Sequence, residues 1–169
     1  MAKVLIALGT NVGNRPENLR SALHALESTL QVEAVSRAYE TVPMYVTDQP
    51  PFLNAAVKAT SELGPRALLE KLKDIELSLG RQNRPQFGPR EIDLDLIAYG
   101  RLSYHFYGPP RALTVPHPRT PERLFVLAPL ADIAPDFYLP GLGIISELLL
   151  KTSTPADHVV ILPDAILSI

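Results

Sequence analysis

The sequence predicts an α+β fold built on an antiparallel sheet. Three observations carry this: short apolar runs alternate with helical spacings in the order strand, helix, strand, strand, helix, strand; each helical spacing opens on a proline; and no internal repeat interrupts the order. This is the ferredoxin-like split βαβ pattern (βαββαβ), with both helices on the sheet and further elements added at the C-terminal end. The chain has 169 residues, the size of one compact domain over 1–169.

Each element has its own signal. Lys3 to Leu8 is an apolar run that reads as a buried strand. Gly9 to Asn14 is a turn cluster. It is not a Walker loop, because no Gly-Lys-Ser/Thr follows. Pro16 opens a helix whose Leu19, Ala22, Leu23, Leu26 and Leu30 keep helical spacing. Val32 to Thr41 partly alternates and predicts a single strand. A proline-rich loop (42–51) separates it from a partner strand, Phe52 to Ser61. Pro65 opens a second helix with Leu68, Leu69, Leu72, Ile75 and Leu79 on one side, and Gly80 stands where a C-terminal cap belongs. Ile92 to Tyr99 predicts a fourth strand, and Glu122 to Leu130 and Ile144 to Leu150 predict short helices.

Composition excludes several function classes. There are no cysteines, hence no disulfide, thiolate metal site or cysteine nucleophile. Met1-Ala2-Lys3 leads straight into a strand pattern and no apolar run approaches membrane-spanning length, so a cytoplasmic protein is expected. A net charge of −2 argues against broad nucleic-acid binding. Charge is nevertheless uneven. Between Arg81 and Arg123 stand seven arginines, no lysine and four acids, together with seven of the seventeen prolines. Arginine presents a planar fork suited to phosphate oxygens, and proline-rich loops are where binding residues gather. A solvated arginine-rich face is the alternative.

Inside that window lies Phe87-Gly-Pro-Arg-Glu-Ile-Asp-Leu-Asp-Leu-Ile-Ala-Tyr-Gly100. Strand alternation sends Ile92, Leu94 and Leu96 to one face and Asp93 and Asp95 to the other, with the two aspartate Cα atoms about 7 Å apart. Such a pair is either a solvated sheet face or a site for a hard divalent cation such as Mg²⁺, which keeps waters and takes phosphate oxygens as further ligands. Arg90 before the pair, and His117 between two prolines with Arg119 and Arg123 following, turn the balance toward metal-assisted phosphoryl chemistry. Phe52 and Phe125, on their residue type alone, read as ordinary core.

Five stretches occur in one order: "GTNVGNRPENLRSAL", "YETVP…DQPPFLNAAV", "IELSLGR", "FGPREIDLDLIAYG" and "LTVPHPR…ERLFVLAPLADIAP". On these motifs the chain, from about Val4 to Leu150, resembles the hydroxymethyl-dihydropterin pyrophosphokinases of folate biosynthesis. The resemblance implies transfer of the terminal pyrophosphoryl unit of ATP to the hydroxymethyl oxygen of a reduced pterin, with release of AMP. It implies two Mg²⁺ ions at Asp93 and Asp95, in-line transfer, and Arg90, Arg81 and Arg84 as further catalytic residues, the last two on a loop that closes over the substrates. It assigns Glu76, Arg90, Leu96, Thr114, His117, Arg119 and Arg123 to ATP. It assigns Thr41, Val42, Met44, Phe52, Asn54 and Phe125 to the pterin, with Asn54 reading the ring edge and the phenylalanines stacking on its faces. The implied partners are small molecules only, on a monomer. Phe87 stands where many members carry tryptophan, and Lys73 replaces a neutral polar residue found in some.

Overall fold

The computed structural model describes residues 1–43, 47–152, 159–163 and 167. The chain runs β1 (Ala2–Thr10), α1 (Arg15–Glu27), β2 (Gln31–Val35), β3 (Tyr39–Thr41), β4 (Phe52–Ser61), α2 (Pro65–Ser78) and β5 (Asp93–Tyr99). It continues through β6 (Tyr104–Phe106), β7 (Leu113–Val115), a 3-10 turn (Thr120–Glu122), α3 (Leu124–Ile133), β8 (Tyr138–Leu139), β9 (Gly143–Ile144), α4 (Ile145–Lys151) and β10 (Val159–Ile161). The main sheet has the order β10-β3-β4-β1-β5, with β2 also on β4, and every pairing in it is antiparallel. No helix among the described residues is long and apolar enough to cross a membrane.

From Val4 to Ile6 β1 is apolar and fully buried because both its faces are covered there. Val4, Ile6 and Leu8 join Leu19, Leu23 and Leu26 of α1 and Leu68 and Leu72 of α2 in one core. Leu5 points the other way and packs with Ala56, Ile97, Val126 and Leu130 of a second core under α3. Thus α1 and α2 share one face, as expected, while α3 and part of α4 cover a portion of the opposite face. The uncovered remainder of that face becomes the cavity described below.

Local chemistry sets the helix ends. The Asn14 side chain accepts from the Glu17 amide at 3.2 Å, capping α1 just ahead of Pro16. α2 ends in a Schellman turn: the Arg81 amide donates to the Glu76 carbonyl and the Gly80 amide to the Leu77 carbonyl, both at 3.1 Å. Gly80 takes φ +90°, a conformation glycine adopts without a Cβ penalty.

Several boundaries differ from the sequence expectation, each for a physical reason. The single strand expected over Val32 to Thr41 is two strands. Ser36 still pairs with Ala56, through its amide (2.9 Å) and through its hydroxyl, which accepts from the Ala56 amide (2.8 Å). The Arg37 amide then turns away to donate to Asp132 on α3 at 3.1 Å. Asp132 also accepts from the Arg37 guanidinium and the Tyr39 hydroxyl, so the break is imposed by a partner far along the chain. β1 continues past Leu8, because Gly9 and Thr10 find rungs opposite Asn54 and Leu53. β5 begins at Asp93 rather than Ile92. α3 begins at Leu124 rather than Glu122, with Thr120–Glu122 forming the 3-10 turn and Arg123 extended between them. α4 starts one residue later than expected. The strands β6 to β10 are two or three residues long, too short for a periodic signal.

Leu72 is fully buried between the sheet and α1. Leu72→Ala should lower the unfolding free energy by about 2–5 kcal/mol, read from the urea midpoint at unchanged m-value.

Candidate active site

The uncovered face of the sheet is organised by register. Asn54 on β4, Gly9 on β1 and Asp93 on β5 lie on one rung; Ala56, Ala7 and Asp95 lie on the next. Small residues in the central strand leave the floor low between the amide and the carboxylates. Gly9 fits closely there: a Cβ would stand 3.1 Å from the Asn54 carboxamide oxygen and press that side chain aside. A cavity of about 300 Å³ opens over this floor. It is lined by the two aspartates, Arg81, Arg90 and His117, and also by Thr41, Val42, Phe52, Asn54 and Phe125, with Arg123 beside Phe125.

The aspartates face a cluster of ion pairs. Arg81 bonds Asp93 Oδ1 at 2.5 Å and also pairs with Glu76. The Schellman turn brings this about, because it folds the chain back so that residue 81 returns over residue 76. Glu76 is buried, 2% exposed, and its Oε1 accepts from the Leu94 amide at 2.6 Å and from Lys73 Nζ at 2.7 Å. Lys73 Nζ lies 3.9 Å from Asp95 Oδ1.

At the other end, Asn54 Nδ2 donates to Thr41 Oγ1 at 2.6 Å, which fixes how its carboxamide is presented. Phe52 and Phe125 are only partly buried and line the cavity, so they are not ordinary core. Arg123 is buried, with its guanidinium 5.7 Å from the Phe125 ring centroid.

The loop after α2 is fastened rather than free. Arg84 pairs with Glu91 at 2.5 Å and does not line the cavity. Arg90 is held through its backbone: its amide donates to Asn11 Oδ1 at 2.8 Å, and its carbonyl accepts from the Asn11 amide at 2.9 Å. Phe87 has φ +62°, a left-handed conformation that costs a non-glycine residue about 1–2 kcal/mol. Gln49 holds it by donating to the Phe87 carbonyl at 2.9 Å, and the Arg119 guanidinium lies 5.2 Å from its ring.

The fold therefore gathers Asp93, Asp95, Arg81, Arg90, His117, Arg123, Thr41, Val42, Phe52, Asn54 and Phe125 around one space. Glu76 stands directly behind it. Leu96 points into the helix-side core, Thr114 sits on β7 against His105, and Arg119 is beside Phe87; these three do not line the cavity. Met44 lies outside the described residues. Sequence reasoning passed over Asn11, Gln49 and Glu91, which hold the loops, and gave Lys73 no role. No local signal marks them, since their partners come from distant segments. Glu76, whose position in the sequence alone reads as helix surface, is buried instead, because it follows Leu68 and Leu72 at four-residue spacing on the side of α2 that packs on the sheet.

The donor set suits a hard divalent cation. Two carboxylates share one face of one strand, and oxygen ligands in small number suit Mg²⁺, which keeps several waters.

Comparison with known proteins gives a consistent picture. The model of the 7,8-dihydro-6-hydroxymethylpterin-pyrophosphokinase family matches residues 5–135. The 2-amino-4-hydroxy-6-hydroxymethyldihydropteridine pyrophosphokinase of Bacillus subtilis (strain 168) is 45% identical over 130 residues, covering 76% of this chain and 75% of that protein. The mitochondrial folate synthesis bifunctional protein of Pisum sativum is 48% identical over 132 residues, covering 78% of this chain and 25% of that protein. The chain thus spans about a quarter of the length of the plant relatives it matches. In fold it is similar to Plasmodium falciparum HPPK-DHPS, with a TM-score of 0.77 at 17% identity over 89% of this chain and 45% of that one.

Electrostatics marks where the folded chain is under tension. Burial pushes the Asp95 carboxyl up to about 7, the Asp93 charge adds to this, and Lys73 and Arg123 oppose it. Burial also acts on Asp93, but Lys73 and Arg81 outweigh it and hold that carboxyl below its ordinary value. Burial raises Glu76 against the pull of Lys73. Burial, then the Arg123 and Arg119 charges, push His117 down to about 4, so its imidazole is neutral near neutral pH. For Asp95 the folded state favours the proton. Its contribution to stability is full below the ordinary carboxylate value of 3.8 and is lost as pH rises through about 7. Asp95→Asn removes that loss. With chelator present, the variant should melt near wild type at about pH 4 and a few degrees above it at about pH 8. Thermal melts across that range check the sign, and a gap that narrows with rising pH would contradict it.

Proposed function

The chain belongs to the 7,8-dihydro-6-hydroxymethylpterin-pyrophosphokinase family, and from that premise we propose that it transfers pyrophosphate from ATP to the hydroxymethyl group of 6-hydroxymethyl-7,8-dihydropterin, releasing AMP, in folate biosynthesis. One observation carries the proposal: a single cavity is lined both by an acid pair with arginines and by an amide together with two phenylalanines. A phosphohydrolase acting on water would have no use for the second set. The strand order, with both α1 and α2 on one face, supports reading the sheet as a split βαβ of ferredoxin-like type.

The roles follow from position. Asn54, oriented by Thr41, offers both a donor and an acceptor to a pterin edge. Phe52 and Phe125 present aromatic surface to its ring. Arg90, Arg123 and neutral His117 supply donors to phosphate oxygens, and Arg81 adds charge where the transferred group gains it. Asp93 and Asp95 would hold Mg²⁺. There the ion would supply positive charge to neutralise phosphate oxygens. No covalent intermediate on the protein is required; the chain's contribution is orientation and charge. The low floor at Gly9 and Ala7 lets the acceptor hydroxyl approach the carboxylate end from the amide end.

Incubation with ATP, Mg²⁺ and the pterin alcohol should yield AMP and the pterin pyrophosphate by chromatography; ADP as the nucleotide product would refute the reading. Asp95→Ala should lower kcat by about 10²–10³-fold, the size of effect for loss of a key electrostatic group. Turnover within tenfold of wild type would count against the assignment. Asn54→Ala should raise the pterin KM by roughly 10–100-fold with the ATP KM nearly unchanged, because a buried polar partner is lost. Equal rises in both KM values would argue against its role in reading the pterin.

A further inference from the structure

Lys73 has no part in the transfer described above, yet it sits at its centre. It stands on α2 one turn before Glu76. Its Nζ donates to Glu76 Oε1 at 2.7 Å and to the Leu94 carbonyl at 3.0 Å, and its side chain is 18% exposed on the cavity wall. Among the described residues β5 is the last strand of the sheet, so one side of its backbone has no partner strand there. Glu76 takes the Leu94 amide and Lys73 takes the Leu94 carbonyl. The two side chains therefore complete the edge at the residue that lies between Asp93 and Asp95. Any shift of that peptide moves both carboxylates.

Lys73 also brings a charge. Its ammonium lies 3.9 Å from Asp95 Oδ1, close enough to compete with a cation for that carboxylate. Arg81 is placed differently: it reaches Asp93 and Glu76 from the residue just past the helix cap, whereas Lys73 projects from the interior of α2 and is anchored by two hydrogen bonds.

We propose that Lys73 is a positioning residue: with Glu76 it clamps the Leu94 peptide and so fixes the spacing of Asp93 and Asp95, and its fixed charge lowers the affinity of that pair for a divalent cation, keeping the ion exchangeable with the nucleotide. The proposal rests on reading Asp93 and Asp95 as the cation site, and the test separates the two. Mn²⁺ alone is titrated into the ligand-free protein and free Mn²⁺ is read by electron paramagnetic resonance. Lys73→Met and Lys73→Gln both remove the charge, and each should bind Mn²⁺ at least about fivefold more tightly than wild type. In the assay Lys73→Met should lose at least about tenfold in kcat with the ATP KM within about threefold, as expected for misplaced groups. Lys73→Gln, whose amide can still donate to the Leu94 carbonyl, should lose less. Tighter ion binding with slower turnover is not what a merely structural lysine produces. Its loss would lower the melting temperature and leave Mn²⁺ binding unchanged or weaker, and that result in both variants overturns the proposal. Should Lys73→Met fail to fold by circular dichroism, Lys73→Gln decides by its Mn²⁺ affinity alone. Wild-type Mn²⁺ binding that survives Asp95→Asn, or no Mn²⁺ binding by any of the proteins, refutes the cation reading and the proposal with it.

Discussion

Three carboxylates and two cations in contact, Glu76, Asp93 and Asp95 with Lys73 and Arg81, form the interaction on which the rest of this structure turns. Formally the group keeps one excess negative charge. Inside a protein such a cluster persists only if its geometry is held from several sides, because burial of unpaired charge is costly. Here α2 supplies Glu76 and Lys73, its Schellman turn supplies Arg81, and the edge of β5 supplies the Leu94 amide that donates to Glu76 and the Leu94 carbonyl that accepts from Lys73. The helix register, the helix end and the strand edge are all needed for one site. Each is also an ordinary structural solution: a packed stripe, a glycine cap and a covered edge.

How much of this was legible follows from which partners are local. The aspartate pair was legible, because alternation along a strand assigns Leu94 and Leu96 to one side and the acids to the other without reference to anything distant. The spacing of α1 and α2 and the cap at Gly80 were legible for the same reason. The break between β2 and β3 was not. It depends on Asp132 receiving the Arg37 amide, a contact between residues 95 positions apart. Asn11 and Gln49 were likewise silent, since polar residues in proline-rich loops reveal their role only when the loops meet. The residues of the candidate site were legible largely through motif resemblance. Phe52 and Phe125 looked like core, and only the absence of α3 over that part of the sheet leaves them facing a cavity.

The division of the sheet's second face explains why the site is where it is. α3 packs on Leu5, Ala56 and Ile97, one end of the central strands. Toward the other end the same faces carry Gly9, Asn54 and the aspartates, which offer a helix no apolar side chain, with Ala7 at the boundary against the second core. The chain crosses from the covered half to the open half at the N-terminus of α3, where Arg123, Phe125 and Val126 all border the cavity. One helix end thus supplies a cation and an aromatic surface together, and the boundary between core and site is only one or two residues wide on each strand.

That narrow boundary bears on stability as well as on chemistry. Asp95 lies on the rung next to the apolar core, and its charge is disfavoured there by burial and by Asp93. A chain selected for stability alone would place an apolar or neutral side chain at that position, since an alternating strand beside a covered face accepts one readily. The acid has the opposite sign of effect, which Lys73 and Arg123 oppose only in part. The tension at Asp95 is thereby the physical form that preorganisation takes in this fold: the carboxylates are held close before any ligand binds, by packing and edge hydrogen bonds whose energy comes from elsewhere in the domain.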